Sequence, residues 1–464
     1  MNILIVGNGF DLSHYLPTKY DHFMAAMAAI EKWDKPQDDM NFDDLFGSLY
    51  EKESNFFGYT KAIYKTDEIK ISVDQIKELQ TQLKENVWYQ YFSDHVKDVK
   101  TWIDFEEKIA QALEIVCNFL MVIESYSKQN NSFNDFIKSK IEANNNTYYL
   151  IQKNIRILEL FTLLEVKYKK TGVDFSPQIV RFFDDWNTSS QKLSTNFLLV
   201  RKGFSEYTYT KVTSFLHKSL LEFSREFNNY LKRIESLQSI NNVIKIPALE
   251  AVERVYSFNY TSTYKRLYTF DLQSYFLHGK IGDQSKIVLG VSDLDNQILQ
   301  KFNLWGFTKY HQKLLLDTDY NFIDEYLVKS KLMKEHVNLT RDFWLSRTAN
   351  TEAGSVKYIE QKIQETLQNN NLNLHFYIWG HSLDVSDNNY IQELFSFNEL
   401  YNQNVKVTIY YFNDQAHADL LANLMRILGK VKVETWRKQE WLEFKKNPDI
   451  AEINSIKPVD LLIK

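Results

Sequence analysis

One cysteine in 464 residues, Cys117, excludes an intramolecular disulfide and fits a reducing compartment. It sits in an apolar helical pattern, which predicts a core thiol, not a nucleophile. Six prolines and 13 glycines are few for this length, so turns and breaks in the chain are sparse and their positions informative. No apolar run approaches the ~18 residues that a bilayer-spanning helix requires, so no membrane contact is expected. The opening Met1-Asn2 followed by Ile3–Val6 and Gly7 lacks the basic start and the length of a secretory signal, and the expected location is cytoplasmic. Cys/His clusters at zinc spacing, a Walker lysine loop and a nucleophile elbow are all missing, so no metal site is expected from motif. A net charge of −5 supplies no global attraction to nucleic acid or anionic lipid.

What is present is a large apolar fraction, 44%, with 32 Phe and 28 Tyr to fill cores. Glycine is unevenly spread. Only Gly47, Gly58, Gly172 and Gly203 fall between residues 31 and 249, while the other nine lie in 1–30 and 250–464. Glycine costs about 1 kcal/mol relative to Ala inside a helix, so the glycine-poor middle reads as helical. Apolar spacing there predicts long helices over about 73–98, 101–126, 147–171 and 206–238. The flanks instead carry short β-rich runs at Ile3–Val6, Arg254–Phe258, Tyr275–Leu277, Ile287–Leu289, His375–Trp379, Val405–Phe412 and Val431–Trp436. Strands alternating with helices predict an α/β fold with a Rossmann-like, mostly parallel, doubly wound sheet. The expected organisation is a nucleotide-binding core from residues 1–30 plus 250–464, interrupted by a helical insertion over 31–249.

In an open α/β sheet, ligands bind beyond the carboxyl ends of the strands. Polar and glycine residues gather after most of the predicted strands: Gly7-Asn8-Gly9-Phe10-Asp11 after the first, Asn259-Tyr260-Thr261 after the second and His278-Gly279 after the third. Gly290 with Asp293, Gly380-His381-Ser382, and Asn413-Asp414 with His417 follow the later ones. Gly7-x-Gly9 after an apolar strand, ahead of a helical pattern from about Tyr20, is a context in which backbone approaches a phosphate or ribose. Leu12 stands where a third glycine would complete the dinucleotide fingerprint, so a plain tight turn is the competing reading. Asp11 fits a ribose hydroxyl or a turn cap. Asn259 fits a ligand contact or a turn. His278 at a strand end fits a general base or a structural hydrogen-bonder.

Glu106 falls in line with Trp102, Ile109, Leu113 and Cys117, the apolar stripe of the second long helix. A carboxylate there is costly unless it is paired or used in a site. Ser386 reads as a helix N-cap with Asp387 in the first turn, and His381 and Asp387 are candidate ligand contacts.

The run Ile5–His14 followed by Leu16-Pro17-Thr18 resembles the opening signature of the phage abortive infection AbiH family. Trp102–Glu106, Phe258–Thr261, His278-Gly279, Leu289-Gly290 with Asp293, and Gly380–Leu383 with Asp387 resemble its later blocks in the same order. At Tyr15 the family pattern often has Gly. The order of motifs is also similar to that of sirtuin-like NAD hydrolases of antiphage systems. That second resemblance implies NAD or a related nucleotide as ligand, held by Gly7, Asn8, Gly9, Phe10, Asp11, Asp293, Gly380, His381, Ser382 and Asp387. It also implies that Asn259 orients ribose and water and that His278 acts as base, while Glu106, from its place on the apolar stripe, is a further candidate catalytic residue. The implied role is antiphage defence by hydrolysis at the N-glycosidic bond.

Two other readings stand beside it. Asp11, Glu106, Asp293 and Asp387 could hold a divalent metal in a nuclease, with weak support from 14 Lys/Arg against nine Asp/Glu over residues 150–235. A non-catalytic nucleotide-binding sensor could meet a phage-derived trigger through the helical insertion. A homo-oligomer is compatible with each.

Overall fold

The computed structural model describes residues 1–462 except 36, 96–101, 128–146, 166–191, 202–203, 241–244, 250, 270, 283, 285, 293, 295, 320, 349–356, 359, 363–371 and 402. Six strands form one sheet: β1 (Asn2–Val6), β2 (Val252–Ser257), β3 (Ser274–Phe276), β4 (His375–Trp379), β5 (Lys406–Tyr411) and β6 (Leu442–Lys446). Their order is β3-β2-β1-β4-β5-β6, and every neighbouring pair is parallel. The expected parallel α/β sheet is therefore present, in the strand order of a doubly wound fold. Alternate residues of its strands enter two apolar clusters. Leu4, Val6, Val255 and Trp379 join one, while Ile3, Ile5, Tyr256, Phe376, Ile378 and Ile409 join the other. A sheet buried on both faces needs such nearly continuous apolar strands.

The helices around the sheet and its clefts include α1 (Asn8–Ser13), α2 (Tyr20–Glu31), α3 (Val73–Glu85), α4 (Trp102–Ser127), α5 (Tyr209–Glu235), α6 (Lys309–Leu316), α7 (Asn388–Leu394), α8 (Asp414–Leu428) and α9 (Lys430–Lys438). The first of the predicted long helices is broken. Asn86 ends α3 and caps a second helix, Val87–Asp94, accepting the Tyr89 N–H at 2.9 Å while donating to the Ser219 carbonyl at 2.8 Å. The third is shorter than expected, Thr147–Leu160, and residues 166–171 of its expected span lie outside the described residues. The apolar cluster on one sheet face continues through Phe23, Trp88, Phe105 and Phe223, so helical segment and sheet share a core.

Two predicted strands are not strands. Ile287–Leu289 is an irregular segment whose Leu289 backbone is tied to the side-chain amide of Gln312. Val431–Trp436 is helix α9: Val433 and Trp436, three residues apart, turn inward while Val431 is exposed. The strand next to it is Leu442–Lys446, whose two lysines make it polar enough to be overlooked. Lysine on an edge strand also discourages pairing with another chain.

The turn after β1 starts α1 at once, instead of a loop reaching to Tyr20. Its glycines pack on backbone. A Cβ at Gly7 would lie 2.5 Å from the Gly380 carbonyl oxygen, and one at Gly9 2.7 Å from the Gly380 Cα. Gly380 has φ +73°, and a Cβ there would lie 2.0 Å from the Phe10 nitrogen. The Gly9 N–H donates to the Gly380 carbonyl at 2.9 Å. Tyr15 has φ +57°, a left-handed backbone conformation that glycine adopts more easily. Its ring packs 4.6 Å from that of Tyr59, a contact glycine could not make.

Gly380→Ala should lower unfolding free energy by about 3 kcal/mol or more, combining backbone overlap with a left-handed φ. Gly429→Ala, at φ +81° and ψ 150° with open space around it, should cost less, about 1–2 kcal/mol from backbone strain alone. Urea unfolding of the two variants measures the difference, and equal losses would remove the close-approach explanation.

Candidate functional site

A cleft of about 350 Å³ opens at the carboxyl ends of the strands. The turn after β1 contributes Gly7, Asn8 and Leu12; the entry to α2 contributes Lys19 and Tyr20; α4 contributes Glu106; and the segment after β2 contributes Phe258, Asn259 and Tyr260. His278 follows β3, Lys309 opens α6, and Gly380, His381, Ser382, Ser386 and Asp387 follow β4. Asn8, Asn259, His278 and His381 thus share one cavity, although 373 positions separate the first from the last. Its place at the junction of β1 and β4 follows from topology: the chain leaves β1 for β2 on one side and returns to β4 on the other.

Asp387 organises the histidines. Its Oδ1 lies 3.0 Å from His278 Nε2, and its Oδ2 lies 3.3 Å from His381 Nε2. Burial alone would raise this carboxyl, but His278, His381 and Lys309 hold it well below the usual carboxylate range. Burial pushes His278 down to about 4, so at neutral pH an ionised Asp387 faces a neutral imidazole that donates through Nε2. The two rings differ in what remains. His381 Nδ1 accepts the Leu383 N–H at 2.9 Å, so both of its nitrogens are engaged. His278 Nδ1 has no hydrogen-bond partner among the described residues, and in this tautomer it is the basic nitrogen. The turn is strained where it aims His381, with Gly380 at φ +73° and Leu383 at φ +53°.

Ser386 does not cap α7, contrary to the expectation from sequence. Asp384 caps the 3₁₀ turn Val385–Asp387 by accepting the Ser386 N–H at 2.8 Å. Asp387 stands at the N-cap of α7 without a capping bond, leaving its carboxylate for the histidines.

Asn259 is 5% exposed. Its Oδ1 accepts the Tyr260 N–H at 2.8 Å, and its Nδ2 donates to Thr261 Oγ1 at 3.0 Å. Thr261 in turn donates to Asp11 Oδ2 at 2.6 Å. One lone pair of Asn259 Oδ1 remains, while its amide also serves Asp11. Asp11 is buried beneath the cleft and does not line it. Burial raises its carboxyl, and Thr261, Thr263 and Asn259 partly offset this. Phe10 is likewise core, against Trp379 and His14. Of Gly7–Asp11, then, only Gly7 and Asn8 reach the cleft, and Gly9 supports them from behind. Asp293 lies outside the described residues. Asn413 and His417 are not in the cleft: Asn413 caps α8, and His417 stacks on Tyr411.

Glu106 meets both of the readings made for it, lining the cleft and accepting an ion pair from Lys309 at 2.6 Å. Burial pushes Glu106 up to about 7, against the pull of Lys309. Lys309, Tyr260, Lys19 and Tyr20 were not singled out from sequence. The only available signal was Glu106 itself, since a carboxylate on an apolar stripe demands a cation without saying where it comes from. The three described carboxylates proposed for a metal each have another partner or place. Asp11 is beneath the floor, Glu106 is on Lys309, Asp387 is on two histidines, and no three-membered His/Cys/Asp/Glu group suited to a metal occurs among the described residues. Nor is any described helix long and apolar enough to cross a membrane.

His278 and the equally buried His14 are both held near 4 in the folded protein, against ~6.5 in an unfolded chain. Between those values the unfolded state binds protons that the folded state refuses. Their stabilising effect is complete above about pH 6.5 and lost as pH falls toward 4, by roughly 3 kcal/mol for each at most. Urea unfolding at pH 7 and pH 4.5 should show this loss, and His278→Gln should flatten the dependence.

A family model described as bacteriophage abortive infection AbiH matches residues 3–411, which include β1 to β5 and every residue lining the cleft. No curated protein and no solved structure matches the chain. The chain belongs to the bacteriophage abortive infection AbiH family.

Proposed function

We propose that the cleft is the active site of a hydrolase that cleaves the N-glycosidic bond of NAD or a related nucleotide, as the effector step of abortive infection. The phage-defence role rests on the family. The reaction rests on one observation above all: a neutral His278 whose Nε2 is committed to Asp387 and whose Nδ1 is uncommitted, in a cleft shared with Asn259.

In the reaction the bond between C1′ and the pyridinium nitrogen breaks, and its electron pair leaves with nicotinamide. A water oxygen bonds to C1′, and the water proton passes to His278 Nδ1. Because a pyridinium becomes neutral on leaving, no acid has to protonate it, and one base suffices. Asp387 places negative charge beside the cation developing on the ribose. The remaining lone pair of Asn259 Oδ1 accepts from a ribose hydroxyl or from the water. Gly7, Asn8, Gly380, His381 and Ser382 face the rest of the nucleotide, with Gly9, Phe10 and Asp11 beneath them. The volume, near the lower end for small-molecule sites, suits one half of a dinucleotide, with the other at the mouth.

Incubation of the purified protein with NAD should release nicotinamide, measured by chromatography. Asn259→Ala and His278→Ala should each slow it by about 10²–10⁴-fold. With His278 held near 4, the acid limb of the rate profile should fall below about pH 5 and not near pH 6.5. Absence of both nicotinamide release and calorimetric binding of NAD would refute the proposal.

A further inference from the structure

Helix α5 carries a second carboxylate on a buried apolar stripe. Phe223, Phe227, Tyr230 and Ile234 form the stripe, and Glu226 lies on it with 8% of its surface exposed. Asn229 hydrogen-bonds to its carboxylate, but its Oε2 has no hydrogen-bond partner among the described residues. A buried oxygen left so is costly unless something meets it. Glu226 lines a cavity of about 550 Å³ between α2, α3 and α5, which shares no residue with the cleft. A smaller cavity of about 150 Å³ adjoins it along Gln82, Arg225 and Glu226.

The cavity is two-sided in character. Met27, Ile30, Leu45, Ile71 and Leu79 supply apolar wall, and Gln75, Gln82 and Asn229 supply amides. The volume falls within the range of small-molecule sites. The charges near Glu226 are of both signs, Arg225 and Arg233 against Glu78. An ammonium head would meet the guanidinium groups, and a carboxylate head would meet Glu226 and Glu78. A neutral donor avoids both penalties and satisfies the orphaned oxygen.

We propose that this cavity binds a neutral amphipathic small molecule, whose apolar body packs against Met27, Ile30 and Leu79 and whose hydroxyl or amide N–H donates to Glu226 Oε2. The site lies in the helical segment, apart from the cleft, and does not depend on the reaction proposed there.

Methionine-methyl NMR of the full chain, with the Met27 signal assigned through Met27→Leu, reads occupancy at the site itself. The probes are 1-octanol, octyl methyl ether, octylamine and octanoate, each below its aggregation concentration. Octanol should shift the Met27 signal and bind about tenfold more tightly than the ether, the worth of one hydrogen bond to a charged acceptor. Octylamine and octanoate should bind more weakly than octanol. Glu226→Leu should remove the advantage of octanol over the ether, and Leu79→Trp, which fills the cavity, should weaken every probe. The wild-type comparison stands even where a variant fails to fold. Equal binding of octanol and ether, a preference for either charged probe, or no shift at Met27 would overturn the proposal.

Discussion

The contact of backbone on backbone between the turn after β1 and the turn after β4 is the constraint on which the site depends. Gly7 and Gly9 lie against Gly380 so closely that any Cβ at this seam would overlap main-chain atoms. The seam closes the crevice between two neighbouring parallel strands at their carboxyl ends. It also turns the chain after Gly380 so that His381 and Asp387 come back over the sheet edge. These glycines serve the fit of protein to protein. The rim of the cleft rests on them.

Asp387 converts that rim into chemistry. Two histidines compete for one carboxylate, and their remaining nitrogens separate them. A backbone N–H occupies Nδ1 of His381, and His278 keeps a basic nitrogen. The same low-dielectric surroundings that keep His278 neutral make the ionised Asp387 costly, and the imidazole N–H groups and Lys309 offset that cost. Glu106 and Lys309 bring a helix of the middle segment and the start of α6 into the same wall. The cleft is therefore completed by the helical segment and not by the sheet alone.

The middle segment repeats one physical theme. Glu106 and Glu226 both stand on apolar stripes of long helices, where a carboxylate has to be answered. Lys309 answers the first, while one oxygen of the second has no partner among the described residues. The shared core of sheet and helices holds both positions rigidly, since Phe105 beside Glu106 and Phe223 one turn before Glu226 stack on each other at 5.7 Å.

Much of this was legible in one dimension. Short apolar runs followed by Gly, Asn or His marked five of the six sheet strands, because a strand buried on both faces cannot hide its composition. Val431–Trp436 misled because β-branched residues at alternate positions also suit a helix when only one face is buried. Leu442–Lys446 escaped because an edge strand tolerates lysine. The sequence by itself determined the fold class, the family and the residue types gathered at the strand ends, since these follow from local periodicity and motif order. Only the tertiary structure decided that Asp387 binds two histidines, that Asp11 lies under the floor and that Lys309 meets Glu106. Those outcomes depend on distances between segments hundreds of residues apart, and no local pattern encodes which buried charge will find which partner.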